Sequence, residues 1–187
     1  MLSRLEKIFN ETNIKYVIVG GIALIHYGHV RTTQDIDLII ENDPSKIPHL
    51  ISLLKDCDFD VMSDQLYKGY KEKTNVTVFD NRSYLRLDIK FAENESDNEV
   101  IKNARQVNIL GKSLLIAPLE YVLIGKIMYI GKIEDLSDSE LLEYQDVIDF
   151  LTLFHVNKAN IDLDFLKKKI KDLGLHSTLK RLIEIRF

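Results

Sequence analysis

The sequence contains one cysteine, no tryptophan and only three prolines among its 187 residues. Because Cys57 has no second cysteine to pair with, an internal disulfide is excluded, and this usage is typical of a reducing compartment. No apolar run approaches the length of a membrane span, and the N-terminal segment is amphipathic, unlike a secretion signal. We therefore expect a cytoplasmic protein that has no membrane partner.

Acidic residues outnumber basic residues over most of the chain. The net charge is −4, which gives no general attraction to nucleic acid. A hydrophobic content of 45% with 29% charged residues indicates a folded protein, long enough for one domain with a small appendage. The composition therefore favours an ordinary globular enzyme or binding protein over a disordered one.

The C-terminal segment departs from this balance. From residue 167 onward, seven basic residues face two acidic ones, a net charge of +5 that leaves −9 for residues 1–166. The basic residues are Lys167, Lys168, Lys169, Lys171, Lys180, Arg181 and Arg186. Such a segment could contact a polyanionic acceptor, or it could be the solvated face of a terminal helix.

Three aspartates stand on two predicted strands. Residues 33–40 (TQDIDLII) place Asp35 and Asp37 on one strand face, because residues two apart on a strand point the same way. Asp88 lies in the alternating run 84–91 (YLRLDIKF), while its competitor Asp80 lies at a predicted hairpin turn. Neighbouring strands could bring Asp35, Asp37 and Asp88 together as ligands for two Mg²⁺ ions, the usual device for displacement at phosphorus.

A double glycine lies upstream of these acids. Residues 16–19 (YVIV) predict a short strand that leads into Gly20-Gly21, and residues 22–27 then read as the start of a helix. Backbone N–H groups at such a turn can bind an anion, and residues without side chains let a phosphate approach closely. The spacing matches neither the three-glycine dinucleotide motif nor the P-loop.

Together these residues resemble a known family. Gly20-Gly21, thirteen intervening residues, the pair Asp35 and Asp37, and a later single-aspartate strand resemble the nucleotidyltransferase superfamily of DNA polymerase β type. The fuller strings at 19–24 (VGGIAL) and 31–38 (RTTQDIDL) resemble its branch of AbiEii-type toxins and their small uncharacterised relatives.

The resemblance implies a fold and a division of the chain. We expect an α/β (α+β) protein with a nucleotidyltransferase-like mixed sheet flanked by helices. Residues 1–116 would form the catalytic domain, and residues 117–187 a C-terminal helical segment.

The resemblance also implies an activity, the metal-dependent transfer of a nucleoside monophosphate from an NTP to an acceptor hydroxyl with release of pyrophosphate. The acceptor could be an RNA end, a protein or a small molecule. The alternative is a nucleotide-binding regulatory protein on the same fold with little turnover, such as one partner protein of a toxin–antitoxin pair.

The implied site residues fall into two groups. The catalytic and metal-binding residues, with Mg²⁺ or alternatively Mn²⁺, would be Asp35, Asp37 and Asp88. The nucleotide-binding residues would be Gly20, Gly21, Arg31, Thr33 and Lys126.

The chain departs from its relatives at two positions. Gly21 stands where they often have serine, and Gln145 where many have lysine, ahead of acids that here are Asp146 and Asp149. Both departures remove a side chain that could contact a phosphate or acceptor.

The sequence also predicts several local features. Without metal, three close carboxylates should repel one another, so that at least one is partly protonated or the loops splay. Ser3 and Glu6 form a predicted capping box that opens the first helix. The acidic segment 93–99 (ENESDNE) predicts a loop, and residues 138–156 predict one continuous helix behind a capping box at Ser137.

Overall fold

A computed structural model describes residues 1–133 and 135–185 of the chain. Arg186, the last of the predicted basic residues, lies outside the described residues. The strands are β1 (Tyr16–Val19), β2 (Asp35–Ile40), β3 (Phe59–Asp60), β4 (Val76–Asp80), β5 (Arg86–Phe91), β6 (Arg105–Ile109) and β7 (Lys112–Ile116). The helices are α1 (Leu2–Thr12), α2 (Gly20–His26), α3 (Ile47–Asp56), α4 (Ser63–Glu72), α5 (Glu95–Lys102), α6 (Leu119–Ile130), α7 (Asp138–Leu141), α8 (Gln145–Val156), α9 (Leu163–Asp172) and α10 (His176–Glu184).

The chain divides into two compact units. The first comprises Met1–Ala23 and Arg31–Pro118, and the second comprises Leu24–Val30 and Leu119–Phe187. The short segment Leu24–Val30 therefore belongs to the helical unit, although it precedes most of the sheet in the chain. Among the described residues, no helix combines the length and apolar character that crossing a membrane requires.

The first unit is built on a seven-stranded sheet in the order β3-β4-β5-β2-β1-β7-β6. β2 pairs in parallel with β5, and β1 pairs in parallel with β7, while the other neighbouring strands are antiparallel. This arrangement confirms the predicted mixed sheet flanked by helices. It also places β2 and β5, the two strands that carry the aspartates, side by side at the centre of the sheet.

Strict alternation along β2 separates the core from the site. Ile36, Leu38 and Ile40 are buried, whereas Asp35 and Asp37, which alternate with them, are only half-buried. The buried side chains pack against apolar residues of α1 and α3, including Leu5 and Leu50, which are at most 1% exposed. Burial of this face fixes the strand register, because a slip by one residue would turn every carboxylate into the core.

Three local predictions were wrong. α1 begins one residue before Ser3, and its N-cap Met1 makes no side-chain capping bond, so the proposed capping box does not form. The acidic segment is helical from Glu95 onward, as the start of α5, because Asn94 caps the helix by accepting a hydrogen bond from the Asp97 backbone N–H. Acidic residues in its first turn suit the positive end of the helix dipole.

The third wrong prediction is the continuous helix over 138–156. The capping box at Ser137 forms as expected, but the helix it opens, α7, ends at Leu141 and α8 begins at Gln145. Turn hydrogen bonds from the Glu143 and Tyr144 backbone N–H groups join the two helices.

The second unit is helical. α6 packs against α8 and α9, and α10 packs against α8 and α9. Its core contains the stacked rings of Phe150 and Phe154, whose centroids lie 5.6 Å apart, together with buried Leu123, Ile127 and Leu179.

Candidate active site

The structure brings Asp35, Asp37 and Asp88 together on one face of the sheet. Asp37 stands opposite Asp88 in the parallel pair of β2 and β5, and Asp35 lies two residues before Asp37 on the same face. One carboxylate oxygen from each of the three lies within 4.8 Å of the others. All three side chains are half-buried, so the cluster is held by the sheet yet open to solvent.

A threonine hydroxyl holds one oxygen of Asp35. Thr33 Oγ1 donates to Asp35 Oδ1 at 2.7 Å, just ahead of the first residue of β2. The hydrogen bond from Thr33 lowers the pKa of Asp35 against the opposing effect of burial, and Arg86 lowers it further by hydrogen bonding and charge. Asp35 is therefore ionised at neutral pH.

A second threonine holds Asp88. Thr77 lies opposite Asp88 in the antiparallel pair of β4 and β5, and its Oγ1 donates to Asp88 Oδ1 at 2.5 Å. Two of the three acids thus have one oxygen fixed by a neighbouring hydroxyl, which limits the rotation of the carboxylate.

Arg86 joins two of the acids through its guanidinium group. Its terminal Nη2 lies 3.0 Å from Asp35 Oδ2, and its Nε lies 3.3 Å from Asp88 Oδ2. The register explains both contacts, since Arg86 is opposite Asp35 across the parallel pair and two residues before Asp88. The pKa of Arg86 is raised, mainly by the hydrogen bond to Asp35 and by the charge of Asp88.

This arrangement bears on the expectation that, without metal, at least one of the three acids is partly protonated or the loops splay. The pKa of Asp35 is lowered, and the three carboxylates remain clustered. The hydrogen bond from Thr33 is the largest cause of the lowered pKa, and Arg86 adds a positive charge that the sequence alone did not place in the cluster.

The two glycines let other side chains come close. Gly20 has φ +59°, and a Cβ at this position would lie 1.8 Å from Asp37 Oδ2. The Gly21 backbone N–H donates to the same Asp37 oxygen at 3.4 Å. A Cβ on Gly21 would lie 2.6 Å from Thr33 Oγ1, so the threonine fills the space that a serine at position 21 would need.

The remaining predicted nucleotide-binding residues lie in different settings. Arg31, in the first unit, is half-buried, and its Nε lies 3.5 Å from the Thr32 carbonyl oxygen. Lys126, in the second unit, donates to Asp146 Oδ1 at 2.8 Å and to Asp149 Oδ2 at 2.6 Å.

Asp149 is the centre of a buried polar group in the second unit. Its side chain is fully buried, and it accepts hydrogen bonds from Lys126 and from Gln145 Nε2 at 2.7 Å. His29 Nε2 lies 2.9 Å from Asp149 Oδ1. Gln145 thus donates to the buried carboxylate that Lys126 also contacts.

The competitor Asp80 belongs to a separate ion pair. Arg4 binds both of its carboxylate oxygens, at 2.7 and 2.6 Å, and the Asp80 side chain is 1% exposed. Burial alone would raise the pKa of Asp80, but hydrogen bonds from Arg4, Ser83 and the Arg82 backbone lower it to about 2. Asp80 therefore anchors α1 to the hairpin of β4 and β5.

The basic segment divides between surface and structural residues. Lys167, Lys168 and Lys171 are exposed on α9. Arg181 instead donates to the Ile133 carbonyl at 2.5 Å and to the Leu136 carbonyl. Arg181 therefore ties α10 to the segment that follows α6 rather than simply adding charge to the surface.

Sequence reasoning missed Arg86 and Thr77. The sequence could have indicated Arg86, because it lies two residues before Asp88 on the predicted strand and therefore shares its face. Thr77 could not be assigned in the same way, since its position opposite Asp88 depends on the register of two strands.

Comparison with known proteins agrees with this geometry. Residues 1–99, just over half of the chain, match the family described as "Nucleotidyltransferase of unknown function (DUF6036)". The chain belongs to this family. The match includes the glycine turn and all three clustered aspartates, and it confirms the resemblance to nucleotidyltransferases. No curated protein matches the chain significantly.

Solved structures of nucleotidyltransferases share the fold. ANT(2'')-Ia in complex with adenylyl-2''-tobramycin is 15% identical, with a TM-score of 0.54, over 92% of this chain and 95% of that one. The lincosamide antibiotic adenylyltransferase LnuA, with lincomycin bound, is 16% identical with a TM-score of 0.52, over 83% and 95%. An antigenic nucleotidyltransferase-like protein from Paracoccidioides brasiliensis is 24% identical with a TM-score of 0.50, over 92% and 88%.

Proposed function

We propose that this family member transfers a nucleoside monophosphate from an NTP to an acceptor hydroxyl and releases pyrophosphate. The observation that supports it most strongly is the cluster of Asp35, Asp37 and Asp88 on adjacent strands, with ligand atoms within 4.8 Å of one another. The strand-to-helix turn at Gly20-Gly21 lies against Asp37, and backbone N–H groups at a turn of this kind can bind a phosphate.

The donor set fits a divalent cation. Three carboxylate oxygens are hard ligands of the kind that Mg²⁺ and Mn²⁺ prefer, and the missing side chain of Gly20 lets the Asp37 carboxylate take its place in this donor set. Bound there by Asp35, Asp37 and Asp88, the metal would supply charge stabilisation to the triphosphate and lower the pKa of the acceptor hydroxyl.

The protein's own residues would orient the reacting groups. The threonine hydroxyls on Asp35 and Asp88 keep these carboxylates in fixed orientations. Asp88 would position the acceptor hydroxyl and take its proton as the acceptor oxygen bonds to the α-phosphorus. The bond from that phosphorus to the bridging oxygen then breaks, and the electron pair leaves with pyrophosphate.

A small-molecule hydroxyl is the first acceptor to test, with ATP as the first donor. Two solved structures of the same fold, with adenylyl-2''-tobramycin and with lincomycin bound, contain small molecules of this kind. RNA and protein hydroxyls are further candidate acceptors. The proposed reaction uses only one hydroxyl oxygen of the acceptor, so the acidic cluster itself does not select the acceptor class.

Incubation with each α-³²P-labelled NTP and Mg²⁺ tests the proposal. The acceptors would be a panel of aminoglycosides and lincosamides, total RNA and a protein extract. We expect label on one acceptor class and at least a ~100-fold loss of transfer in Asp37→Asn. Asp64→Asn, an exposed acid in the first turn of α4, is the matched control and should retain activity. Equal transfer by wild type and Asp37→Asn would contradict the proposal.

A further inference from the structure

Arg86 contacts the second carboxylate oxygen of Asp35 and of Asp88, the oxygen of each that its threonine leaves unfilled. Thr33 and Thr77 bind Oδ1 of Asp35 and Oδ1 of Asp88, and Arg86 contacts Oδ2 of both residues. Each of these two carboxylates therefore has a hydroxyl donor on one oxygen and the guanidinium on the other. A divalent cation that binds both acids through these Oδ2 atoms competes there with the guanidinium of Arg86.

The Arg86 side chain is free to give up these contacts. It is 42% exposed, and the distances of 3.0 and 3.3 Å to two separate carboxylates are those of ordinary ion pairs rather than a fork on one partner. An exposed ion pair contributes little net stability, because the charges are partly solvated on both sides. The guanidinium can therefore turn into solvent without leaving a buried charge behind.

The charges of the three carboxylates explain how the contacts of Arg86 could stabilise the metal-free site. Without a cation, the cluster would hold three ionised carboxylates within a few ångströms, and their repulsion would oppose the strand register that creates the site. Arg86 adds one positive charge at the exposed side of the cluster, on the same pair of central strands. The sheet can then fold with its acids in place before any metal binds.

We propose that Arg86 is the counter-charge of the metal-free site and releases at least one of its two carboxylates when a divalent cation binds. This inference rests on the proposed function, since it assumes that the three acids bind metal. It predicts opposite effects of one substitution: loss of Arg86 makes the metal-free protein less stable but lets it bind metal more tightly.

The test is calorimetric titration of the full chain with Mn²⁺ in the absence of nucleotide, together with melting curves with and without the ion. Arg86→Gln should bind Mn²⁺ about threefold to tenfold more tightly than wild type, and without metal it should melt about 2–4 °C lower. Arg86→Lys keeps the positive charge, and its Mn²⁺ affinity and melting temperature should lie between those of wild type and Arg86→Gln. The matched control is Arg82→Gln in the same hairpin, where the arginine is 62% exposed and pairs with Asp58. Its Mn²⁺ affinity should equal that of wild type.

Two outcomes would overturn the inference about Arg86 and leave the proposed function standing. If Arg86→Gln binds Mn²⁺ as wild type does while melting lower, Arg86 only supports the fold. If the variant binds Mn²⁺ more weakly, Arg86 positions the acids for the metal rather than competing with it. If wild type binds no Mn²⁺ and Asp37→Asn leaves the titration unchanged, the metal site of the proposed function fails as well.

Discussion

Gly20 and Asp37 are in such close contact that the first residue of α2 accepts no side chain. A Cβ on residue 20 would lie 1.8 Å from Asp37 Oδ2 and 2.9 Å from Asp37 Cβ, and the backbone there has φ +59°. Gly20 is thus a condition for placing Asp37 in the acidic cluster, in addition to any role of its backbone towards a phosphate.

Gly20→Ala should therefore damage the site and the fold together. We expect a loss of about 2–4 kcal/mol in the free energy of unfolding, from the left-handed backbone and the overlap with Asp37. The Mn²⁺-dependent rise in melting temperature should disappear. Gly125→Ala is the control, because a Cβ at that position in α6 meets no atom within 4 Å. It should leave stability unchanged or raise it by up to about 1 kcal/mol.

The ion pair between Arg4 and Asp80 predicts how stability depends on pH. The folded-state pKa of Asp80 is about 2, below its ordinary value of 3.8, so this carboxylate stabilises the fold at any pH above about 4. Its contribution of about 2 kcal/mol should fall away as the pH drops from 4 towards 2. Arg4→Met should remove most of this acid-sensitive term, as measured by urea unfolding at pH 7 and pH 3. An unchanged pH dependence would show that Arg4 does not hold the pKa down.

Lys126, which the resemblance assigns to nucleotide binding, offers a test of whether this lysine contacts nucleotide or stabilises the fold. Because it contacts fully buried Asp149, Lys126→Met should cost about 3 kcal/mol of stability by leaving a buried carboxylate undercompensated. Lys126→Met combined with Asp149→Leu should recover much of that loss. If the single variant keeps its stability and instead loses NTP affinity, the resemblance-based role as a nucleotide-binding residue is correct.

The fold and the acidic cluster were largely predictable because each depends on short, regular patterns. Alternation along β2 and β5 determined which face carries Asp35, Asp37 and Asp88, and the parallel register of these strands then brought them together. α5 was not predictable from charge alone, because Asn94 caps the helix and Lys90 pairs with Asp97 at 2.9 Å. These two contacts offset the repulsion among the acidic residues that the sequence suggested.

The electrostatics of the cluster were the least predictable part. From sequence, Asp88→Asn should stabilise the metal-free protein by relieving repulsion. The structure places Arg86 between Asp35 and Asp88, so the substitution removes an ion-pair partner as well as a negative charge. We now expect Asp88→Asn to leave the metal-free melting temperature unchanged or slightly lower it, while the response to Mg²⁺ still shrinks. A clear rise in the metal-free melting temperature would instead show that relief of repulsion among the three carboxylates outweighs the loss of the ion pair with Arg86.

Metal-dependent nucleotide binding tests the central claim most directly, without knowledge of the acceptor. Calorimetry would measure the affinity for a non-hydrolysable ATP analogue, with Mn²⁺ and with EDTA, in wild type, Asp37→Asn and the exposed control Asp64→Asn. We predict binding by wild type and Asp64→Asn that requires the metal, and a loss of about 100-fold or more in Asp37→Asn, where a ligand of the ion is removed. Binding that is as tight in EDTA, or equally tight in Asp37→Asn, would contradict the assignment of Asp35, Asp37 and Asp88 as the metal site of a nucleotidyltransferase.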